Sequence, residues 1–444
     1  MTNETNIREI ILDILTEILE KGNYSHLVLS RALDKYRYLE RQDRALITRV
    51  TEGTVEYLIR LDAVIDRYSK VKVKKMKPAV RTILRMSVYQ ILYLDRVPDS
   101  AVCNEAVKLA KKRRLEGLSG FVNGVLRTIA REKDSITFSG AEEKYLLPQW
   151  ILSMWEKEYG TETAQQTALA FLEQRPLSVR MNLSLCSKED ILESLKAEGI
   201  KASPAPGTEN ILFLENYDSP DLTEAFCRGW ITVQDLSSSL VGRIASPEKG
   251  CMVMDVCSAP GGKTLDMADR LSGTGMVEAR DLTEYKIALV EQNVARCGFD
   301  NVTARVMDAR KEDPSMWEKA DIVLADLPCS GLGIIGKKPD IRFRIRKEDL
   351  EQLASLQREI LSVVWKYVKP GGKLIYSTCT IDRLENEENA EWILENLPFR
   401  PLPLETLVPG EMKKDCRNNQ IQLLPGRHPC DGFFIAAFER IRQE

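Results

Sequence analysis

The stretch DLPCSG at residues 326–331 decides the fold, together with YSTC at residues 376–379. Each motif directly follows a run of residues that is typical of a buried strand. In an open α/β sheet, ligands bind beyond the carboxyl ends of the strands. Two cysteines, Cys329 and Cys379, each end such a strand, and they therefore predict a thiol chemistry at that edge of the sheet.

A glycine turn, DVCSAPGGKT at residues 255–264, lies upstream of both motifs. It has neither the three-glycine spacing of dinucleotide folds nor the P-loop pattern, so nucleoside triphosphate binding is not indicated. Its glycines allow close backbone approach, and the helix that follows offers N–H groups to an anionic carboxylate. A zwitterionic nucleoside such as S-adenosylmethionine suits this turn, although a tight strand-to-helix connection needs glycine for its geometry alone.

Strand and helix patterns alternate throughout residues 246–444. The predicted strands are 251–256, 275–280, 302–307, 320–325, 372–377 and 432–438, and the predicted helices are 261–271, 284–297 and 348–368. This alternation predicts an α/β, Rossmann-like domain with a doubly wound, mostly parallel sheet. Asp281, Asp308 and Asp326 end three of the strands, and carboxylates there can bind ribose hydroxyls and read a base.

The first 139 residues read as an all-helical, RNA-binding domain. Apolar residues recur at helical spacing, and no strand pattern precedes about residue 135. The segment carries 26 Lys and Arg against 18 Asp and Glu, a net charge of +8, whereas the rest of the chain has −11. Its basic residues cluster at 70–77 and 111–114, which predicts a polyanionic partner, unless each cluster is only a solvated helix end.

Residues 140–245 are predicted to hold a helical connector and a small α+β module. Strand patterns occur at 177–183, 210–214 and 230–234, with an amphipathic helix at 188–198. The module is expected to be ferredoxin-like, and its alternative interpretation is a spacer without chemistry. Arg180 is one of four residues considered for RNA contact; the others are Asn182, Arg427 and His428.

Composition excludes several classes of protein. The ten cysteines form no C-x-x-C pair and there are only two histidines, so we expect no metal site, no disulfide framework and no Ser/His/Asp hydrolase. No apolar run approaches the roughly 18 residues of a membrane span, and no signal segment precedes the first helix. We therefore expect a cytoplasmic monomer that does not bind membranes.

Two thiols and an acid suit one particular reaction on a pyrimidine. Carbon 5 is a poor nucleophile towards a methyl sulfonium, but thiolate addition at carbon 6 turns the ring into an enamine whose carbon 5 can attack. An acid near ring nitrogen 3 favours the addition, and a base must then remove the carbon 5 proton. Asp326, Cys329 and Cys379 supply these groups. The alternative is that both cysteines are inert packing residues.

Several motifs in one order give the chain a family resemblance. DLPCSGLG, DVCSAPGGKT, YSTCT followed by ENE at 385–387, and DGFF at 431–434 resemble the Nop/Sun family of RNA cytosine-5 methyltransferases. The basic helical segment, with FVNGVLR at 121–127, resembles the NusB-type RNA-binding domain. Together they resemble the bacterial members that act on 16S ribosomal RNA, which implies an RNA of the small ribosomal subunit as substrate.

The resemblance also implies the roles of individual residues. Cys379 is the implied nucleophile, Cys329 assists release of the methylated base, and Asp326 faces both the cytosine and the cofactor. Leu327 and Thr380 replace the Ala and Ser that are common in the family, and both are mild departures. The implied residues around S-adenosylmethionine are Cys257, Ser258, Ala259, Pro260, Gly261, Gly262, Lys263, Asp281, Asp308 and Asp326.

Other interpretations remain open at this point. DNA cytosine-5 methyltransferases use a Pro-Cys cysteine as nucleophile, so spacing alone does not separate Cys329 from Cys379. A methyltransferase acting on a protein or small molecule explains the turn but not the two cysteines. An RNA-binding ribosome-assembly factor with a degenerate methyltransferase domain is the alternative outside enzymes. The basic run at 337–347 is expected to be a phosphate-contacting loop rather than a merely solvated one.

Overall fold

The computed structural model describes residues 6–217 and 219–442. The outermost residues of the first and third predicted domains, 1–5 and 443–444, lie outside this range. The described residues form two compact units, one within 6–157 together with 335–344 and the other within 158–334 together with 345–442.

The first unit is helical, as its spacing predicts. Its helices are α1 Ile7–Leu19, α2 Ser25–Lys35, α3 Arg41–Glu56, α4 Leu58–Tyr68, α5 Pro78–Tyr93, α6 Asp99–Lys112, α7 Glu116–Glu132, α8 Ala141–Tyr145 and α9 Gln149–Tyr159, whose last two residues belong to the second unit. Helix α5 is buried on nearly all sides because its apolar residues surround its axis. At Gly53 on α3, an added Cβ would lie 2.0 Å from the Tyr89 ring, so close helix packing there requires glycine.

Residues 335–344 pack within the helical unit although they follow the Pro-Cys motif in sequence. The Asp340 carboxylate accepts hydrogen bonds from the Ser25 backbone N (3.2 Å) and Oγ (2.6 Å) at the start of α2. Arg342 is 1% exposed and donates to the Leu146 carbonyl at 2.7 Å. The expectation of a phosphate-contacting loop is therefore wrong for Arg342, whose charge is used inside the fold, while Lys337 stays exposed.

The second unit begins with a ferredoxin-like module. A four-stranded antiparallel sheet has the order β2-β3-β1-β4. Its elements, with the preceding helix, are α10 Thr161–Ala170, β1 Leu177–Met181, α11 Lys188–Ala197, β2 Lys201–Pro204, β3 Ile211–Glu215, α12 Glu224–Cys227 and β4 Ile231–Val233. The sequence interpretation omitted β2 because this edge strand, KASP, is mostly exposed and lacks alternating apolar residues.

The remainder of this unit is the mixed sheet with its helices. Its elements are α13 Leu236–Ala245, β5 Met252–Asp255, α14 Gly262–Leu271, β6 Met276–Asp281, α15 Glu284–Cys297, β7 Val302–Val306, β8 Ala320–Asp326, α16 Lys347–Val364, β9 Val368–Thr378, α17 Glu387–Asn396, β10 Phe399–Pro401, β11 Cys416–Arg417, β12 Gln420–Leu423 and β13 Phe433–Arg440. The α/β fold class is confirmed, with predicted bounds close to these.

The sheet is parallel over only half of its pairings. Strands β7, β6, β5, β8 and β9 run parallel to one another, whereas β13 lies antiparallel to β9 and also pairs with β12 and β10. The prediction of a mostly parallel sheet was wrong at this edge. The short strands β10 to β12 carry no recognisable run of strand residues; β10 and β12 pair with β13, and β11 pairs with β12. The carboxyl ends of β5, β6, β8 and β9 form one edge of the sheet.

Candidate active site

The structure brings the two motif cysteines together. Strands β8 and β9 are neighbours, with Asp326 opposite Ser377, so the loops that follow leave the sheet side by side. The sulfur atoms of Cys329 and Cys379 lie 3.3 Å apart. Both cysteines are free thiols and both are partly exposed. A reactant at this edge can therefore meet two sulfur atoms at once.

The Cys329 thiol is held in its protonated form. The pKa of Cys329 is raised well above its usual range, first by the hydrogen bond to Cys379 and then by burial. A thiol that keeps its proton is a weak nucleophile and can donate its S–H. The distance between the two sulfur atoms is compatible with either one as the donor.

Asp326 lies at the end of β8 within a charged pair. Its carboxylate accepts hydrogen bonds from Lys263 Nζ and from Ser377 Oγ, both at 2.7 Å. Burial alone would lower the pKa of Lys263, but Asp326 outweighs it and the pKa is raised, so the lysine is a cation. About a quarter of the Asp326 side chain remains exposed, and a ligand can reach it.

The glycine turn connects β5 to α14 and is held by hydrogen bonds. The Ser258 N and Oγ donate to the Arg280 carbonyl at 2.9 and 3.0 Å, and the Ala259 N donates to Asp281 Oδ2 at 3.0 Å. The Ala259–Pro260 peptide bond is cis. Gly261 has φ 109°, which only glycine adopts readily, and α14 begins at the next residue.

Asp281 supports this turn in addition to the role implied for it. Its carboxylate is 3% exposed, and its Oδ1 accepts from the Leu282 N at 2.7 Å and from Lys286 Nζ at 2.9 Å. Both carboxylate oxygens therefore have protein donors. A ribose hydroxyl would have to use the remaining lone pairs of a carboxylate that is already held in place.

Replacing Asp281 should test the cofactor assignment. We expect Asp281→Ala to weaken S-adenosylmethionine binding by about 1–3 kcal/mol, because charge-assisted hydrogen bonds are lost and the Ala259 N loses its acceptor. Isothermal calorimetry measures this affinity directly. Asp300→Ala, the same change at an exposed position that is assigned to no site, is the matched control, and unchanged affinity in a folded Asp281 variant would remove Asp281 from the cofactor site.

Asp308 makes a different set of contacts. Its carboxylate forms a bidentate pair with Arg310, at 3.0 Å to Nε and 2.8 Å to Nη2, and this hydrogen bonding lowers its pKa. Reading a base through this carboxylate would require Arg310 to yield. Cys257 lies in the glycine turn. Burial raises the pKa of its thiol, so we do not expect this thiol to react.

Asp255 is a candidate that the sequence interpretation omitted. It is 1% exposed at the end of β5, where Thr264 Oγ1 donates to its Oδ2 at 2.8 Å, while its Oδ1 has no hydrogen-bond partner. Burial raises the pKa of Asp255 to about 7. An orphaned buried oxygen calls for a partner. Together with Asp281 and Asp326, it fits a cofactor with a cationic ammonium and sulfonium. The position of Asp255 at the end of a predicted strand could have identified it as a site residue from the sequence.

The residues considered for RNA contact in the middle module do not face outward. Arg180 and Asn182 are fully buried, and Arg180 donates to Gln234 Oε1 at 2.7 Å. His428 is buried as well, with its Nε2 3.0 Å from Asp415 Oδ2, and Arg427 pairs with the same carboxylate. Buried side chains cannot bind phosphate, so the hypothesis was wrong for Arg180, Asn182 and His428.

Buried carboxyls make the stability of this unit depend on pH. Burial raises the pKa of Glu158 from 4.5 to about 8, that of Glu385 to about 7 and that of Asp382 to about 6. The folded state then binds more protons than the unfolded state, so this stabilisation is present below about pH 4 and is lost as pH rises through these values.

We therefore expect the melting temperature to fall between about pH 6 and pH 8.5. Calorimetric scans across this range measure it. Glu158→Gln, which carries no titrating proton, should flatten the upper part of the dependence. A melting temperature that rises across the window would contradict the direction of these pKa shifts.

Two classes of site are absent from the residues that the structure describes. Among residues 6–217 and 219–442, no helix is long and apolar enough to cross a membrane. Within the same ranges, no group of three or more His, Cys, Asp or Glu side chains could hold a metal ion.

Comparison with known families divides the chain into three matched segments. Residues 243–439 match the family described as 16S rRNA methyltransferase RsmB/F. Residues 5–131 match the NusB family, and residues 147–219 match the ferredoxin-like domain of RsmF/B-like methyltransferases. These segments agree with the helical domain, the four-stranded module and the mixed sheet described above.

Whole-chain relatives point the same way. The chain is 35% identical to a probable ribosomal RNA small subunit methyltransferase B of Bacillus subtilis, over 98% of this chain and 99% of the relative. It is 30% identical to the ribosomal RNA small subunit methyltransferase B of Vibrio vulnificus, over 97% and 98%. The solved structure of PH0851 superposes with a TM-score of 0.83 at 28% identity, covering 98% of both chains. The chain therefore belongs to the RsmB/F family of S-adenosylmethionine-dependent 16S ribosomal RNA methyltransferases.

Proposed function

We propose that the chain methylates carbon 5 of a cytosine in 16S ribosomal RNA through a covalent adduct between Cys379 and carbon 6. The observation that carries this proposal is the pair of free thiols, Cys329 and Cys379, 3.3 Å apart beside Asp326. Methyl transfer to an oxygen or to an exocyclic nitrogen needs no thiol. Two thiols at the end of neighbouring strands suit a reaction that adds to the ring and is later reversed.

Bound S-adenosylmethionine supplies an electrophilic methyl group to this site. The Cys379 thiolate adds to carbon 6, and the electron pair of the 5,6 double bond becomes available at carbon 5. Asp326, fixed by Lys263 and Ser377, would hydrogen-bond the base at ring nitrogen 3 and favour that addition. Methyl transfer to carbon 5 would leave S-adenosylhomocysteine; a base then passes the carbon 5 proton to solvent, the 5,6 double bond re-forms and the Cys379 sulfur leaves as a thiolate.

Cys329 is proposed to act in the last step. Its raised pKa keeps a proton on its sulfur, beside the sulfur of Cys379. A protonated neighbour can stabilise a departing thiolate by donating a hydrogen bond to it. This supports Cys329 as the residue that assists release and Cys379 as the nucleophile, rather than the reverse order.

The helical domain is proposed to supply the electrostatic part of RNA binding. The lysines of the first basic cluster are all exposed, namely Lys70, Lys72, Lys74, Lys75 and Lys77. The second cluster is partly neutralised, because Lys112 pairs with Glu9 and Arg113 pairs with Asp13 on α1. We infer that the first cluster contributes more to phosphate binding. The domain limits 1–139, 140–245 and 246–444 and the monomeric state are retained as parts of this proposal.

Salt dependence of RNA binding tests the first cluster. Each neutralised phosphate contributes a slope of roughly 0.7–0.9 to the dependence of affinity on salt. We expect the triple change Lys74→Gln, Lys75→Gln and Lys77→Gln to lower the slope by about 2, measured by filter binding at several salt concentrations.

The matched control replaces Lys111, Lys112 and Arg113 by Gln, where the charges of the last two are already paired, and it should change the slope less. Equal effects of the two variants would contradict the assignment. Point substitutions are preferable to removing the domain, because truncation would also strip Asp340 of Ser25 and Arg342 of the Glu56 carbonyl, two of the partners that hold residues 335–344.

A further inference from the structure

Two buried side chains hold the peptide groups on either side of Cys329. Gln357 Nε2 donates to the Pro328 carbonyl at 2.9 Å, and the Ser330 N donates to Glu385 Oε2 at 3.1 Å. The same Gln357 Nε2 donates to Glu385 Oε2 at 2.8 Å. The loop that carries Cys329 is thus fixed before and after the cysteine by one connected pair.

Asn386, the residue after Glu385, holds the residues on either side of Cys379 in the same way. Thr378 Oγ1 donates to Asn386 Oδ1 at 2.5 Å, and Asn386 Nδ2 donates to the Thr380 carbonyl at 3.2 Å. The two loops are also joined directly, since the hydroxyls of Ser330 and Thr380 lie 2.6 Å apart. Both sides of each cysteine are therefore anchored, by Glu385 and Asn386 just before α17 and by Gln357 on α16.

The anchoring groups are shielded from water and connected to one another. Glu385, Asn386 and Gln357 are each 0% exposed. The hydroxyl of Tyr376 donates to the Glu385 carbonyl and lies 3.1 Å from Gln357 Oε1, and Asn389 Nδ2 donates to the same Gln357 oxygen at 2.7 Å. A buried polar network with its members satisfied is rigid, because each broken hydrogen bond leaves an unpaired group in a dry environment.

We propose that the adjacent residues Glu385 and Asn386 are positioning residues that set the separation of the Cys329 and Cys379 sulfur atoms. Neither side chain needs to touch RNA or cofactor. Glu385 holds the loop of one thiol, Asn386 holds the loop of the other, and their peptide bond fixes the two loops relative to each other. The consequence for catalysis rests on the proposed function: release of the methylated base requires Cys329 to stay within reach of the Cys379 sulfur.

The rate at which the two cysteines form a disulfide depends on the separation of their sulfur atoms, and it can be measured without RNA. Diamide takes two electrons and two protons from two thiols, so the two S–H bonds break, one S–S bond forms and the azo group becomes a hydrazine. The sulfurs must close from 3.3 Å to about 2.05 Å, which a small side-chain rotation can supply. In the unmodified protein we expect this linkage as a Cys329–Cys379 peptide pair in mass spectrometry.

Glu385→Gln and Asn386→Asp should each slow the formation of this disulfide. Glu385→Gln loses the carboxylate charge and one of the two oxygens that accept from the Ser330 N, and Asn386→Asp loses the donor to the Thr380 carbonyl. We expect the rate to fall roughly ten- to a hundredfold, the scale of a displacement of about 1 Å between reacting groups. Glu391→Gln is the matched control, because it makes the same change at an exposed position of α17 and should leave the rate unchanged.

A graded pair of substitutions separates positioning from general destabilisation. Glu385→Ala removes every acceptor for the Ser330 N and for Gln357 Nε2, whereas the amide oxygen of Glu385→Gln can still accept from both, so Glu385→Ala should slow the disulfide more. Ile244→Ala, a destabilising change at a buried position of α13, should leave the disulfide rate unchanged. S-adenosylmethionine affinity and the melting temperature identify variants that fold, and if Glu385→Gln does not fold, Asn386→Asp decides.

An RNA arm then distinguishes this inference from the proposed function. With RNA and cofactor present, Glu385→Gln should accumulate a denaturation-resistant protein–RNA adduct, as Cys329→Ala is expected to do. A slowed disulfide with no adduct in any variant would overturn the covalent mechanism and support the positioning role. An unchanged disulfide rate in folded Glu385→Gln and Asn386→Asp, or no disulfide in the unmodified protein, would overturn the positioning role.

Discussion

Cys379→Ala is expected to abolish both methyl transfer and covalent attachment to RNA, whereas Cys329→Ala should still attack and methylate but stall before release. Without the Cys379 thiolate nothing adds to carbon 6, so carbon 5 stays unreactive and activity should fall to background. In Cys329→Ala the attacking sulfur remains, but the S–H group 3.3 Å from it is gone. A protein–RNA adduct should then accumulate.

Denaturing gel electrophoresis with labelled RNA reads both outcomes in one experiment. S-adenosylmethionine must be present, since the stalled species forms after methyl transfer. Cys416→Ala is the matched control, because this cysteine lies outside the residues assigned to the site and burial raises its pKa to about 11, so it is not expected to react. An adduct with Cys379→Ala and none with Cys329→Ala would reverse the assignment and give the Pro-Cys cysteine the role it has in DNA cytosine-5 methyltransferases.

Asp326→Asn is expected to lower the rate of methyl transfer by roughly 10²–10⁴-fold, the range for loss of a positioned acid–base group. The substitution keeps the shape of the side chain and an acceptor for Ser377 Oγ. It removes the negative charge that pairs with Lys263 and that is proposed to favour addition to the ring. The effect should therefore fall on the chemical step more than on cofactor affinity.

Single-turnover kinetics and calorimetry separate these two quantities. Ser377→Ala, which removes one hydrogen bond to Asp326 but leaves its charge, should cost much less than Asp326→Asn. If the loss in Asp326→Asn were entirely a loss of S-adenosylmethionine affinity, the residue would belong to the cofactor site alone and its role towards cytosine would be withdrawn.

The proximity of Cys329 and Cys379 could be predicted from local patterns in the sequence. Each cysteine comes directly after a strand of one sheet, and parallel neighbouring strands end at the same edge. The helical domain was equally accessible, because a repeat of 3.6 residues over long segments is the strongest pattern that a sequence offers. These features depend on residues close together in the chain, which is why they could be predicted.

The features that were missed depend on partners far apart in the chain. Arg342 was predicted to contact phosphate because it lies in a basic run of residues. Its guanidinium instead donates a hydrogen bond inside the fold, to the Leu146 carbonyl 196 residues away. Gln357 lies 28 residues from Glu385 and carries no motif of its own. No local pattern reports such pairs. The pairing of Asp308 with Arg310 could have been predicted, because the two residues are only two positions apart in the sequence.

Release of tritium from carbon 5 of cytosine tests the central claim most directly. We would incubate small-subunit ribosomal RNA labelled at this carbon with the protein and S-adenosylmethionine, and compare the tritium released to water with the methyl groups incorporated. Methylation of carbon 5 must expel one hydron for each methyl group, so the account predicts equal amounts and a 5-methylcytosine product. Methyl incorporation without tritium release would place the methyl group on another atom and contradict the account.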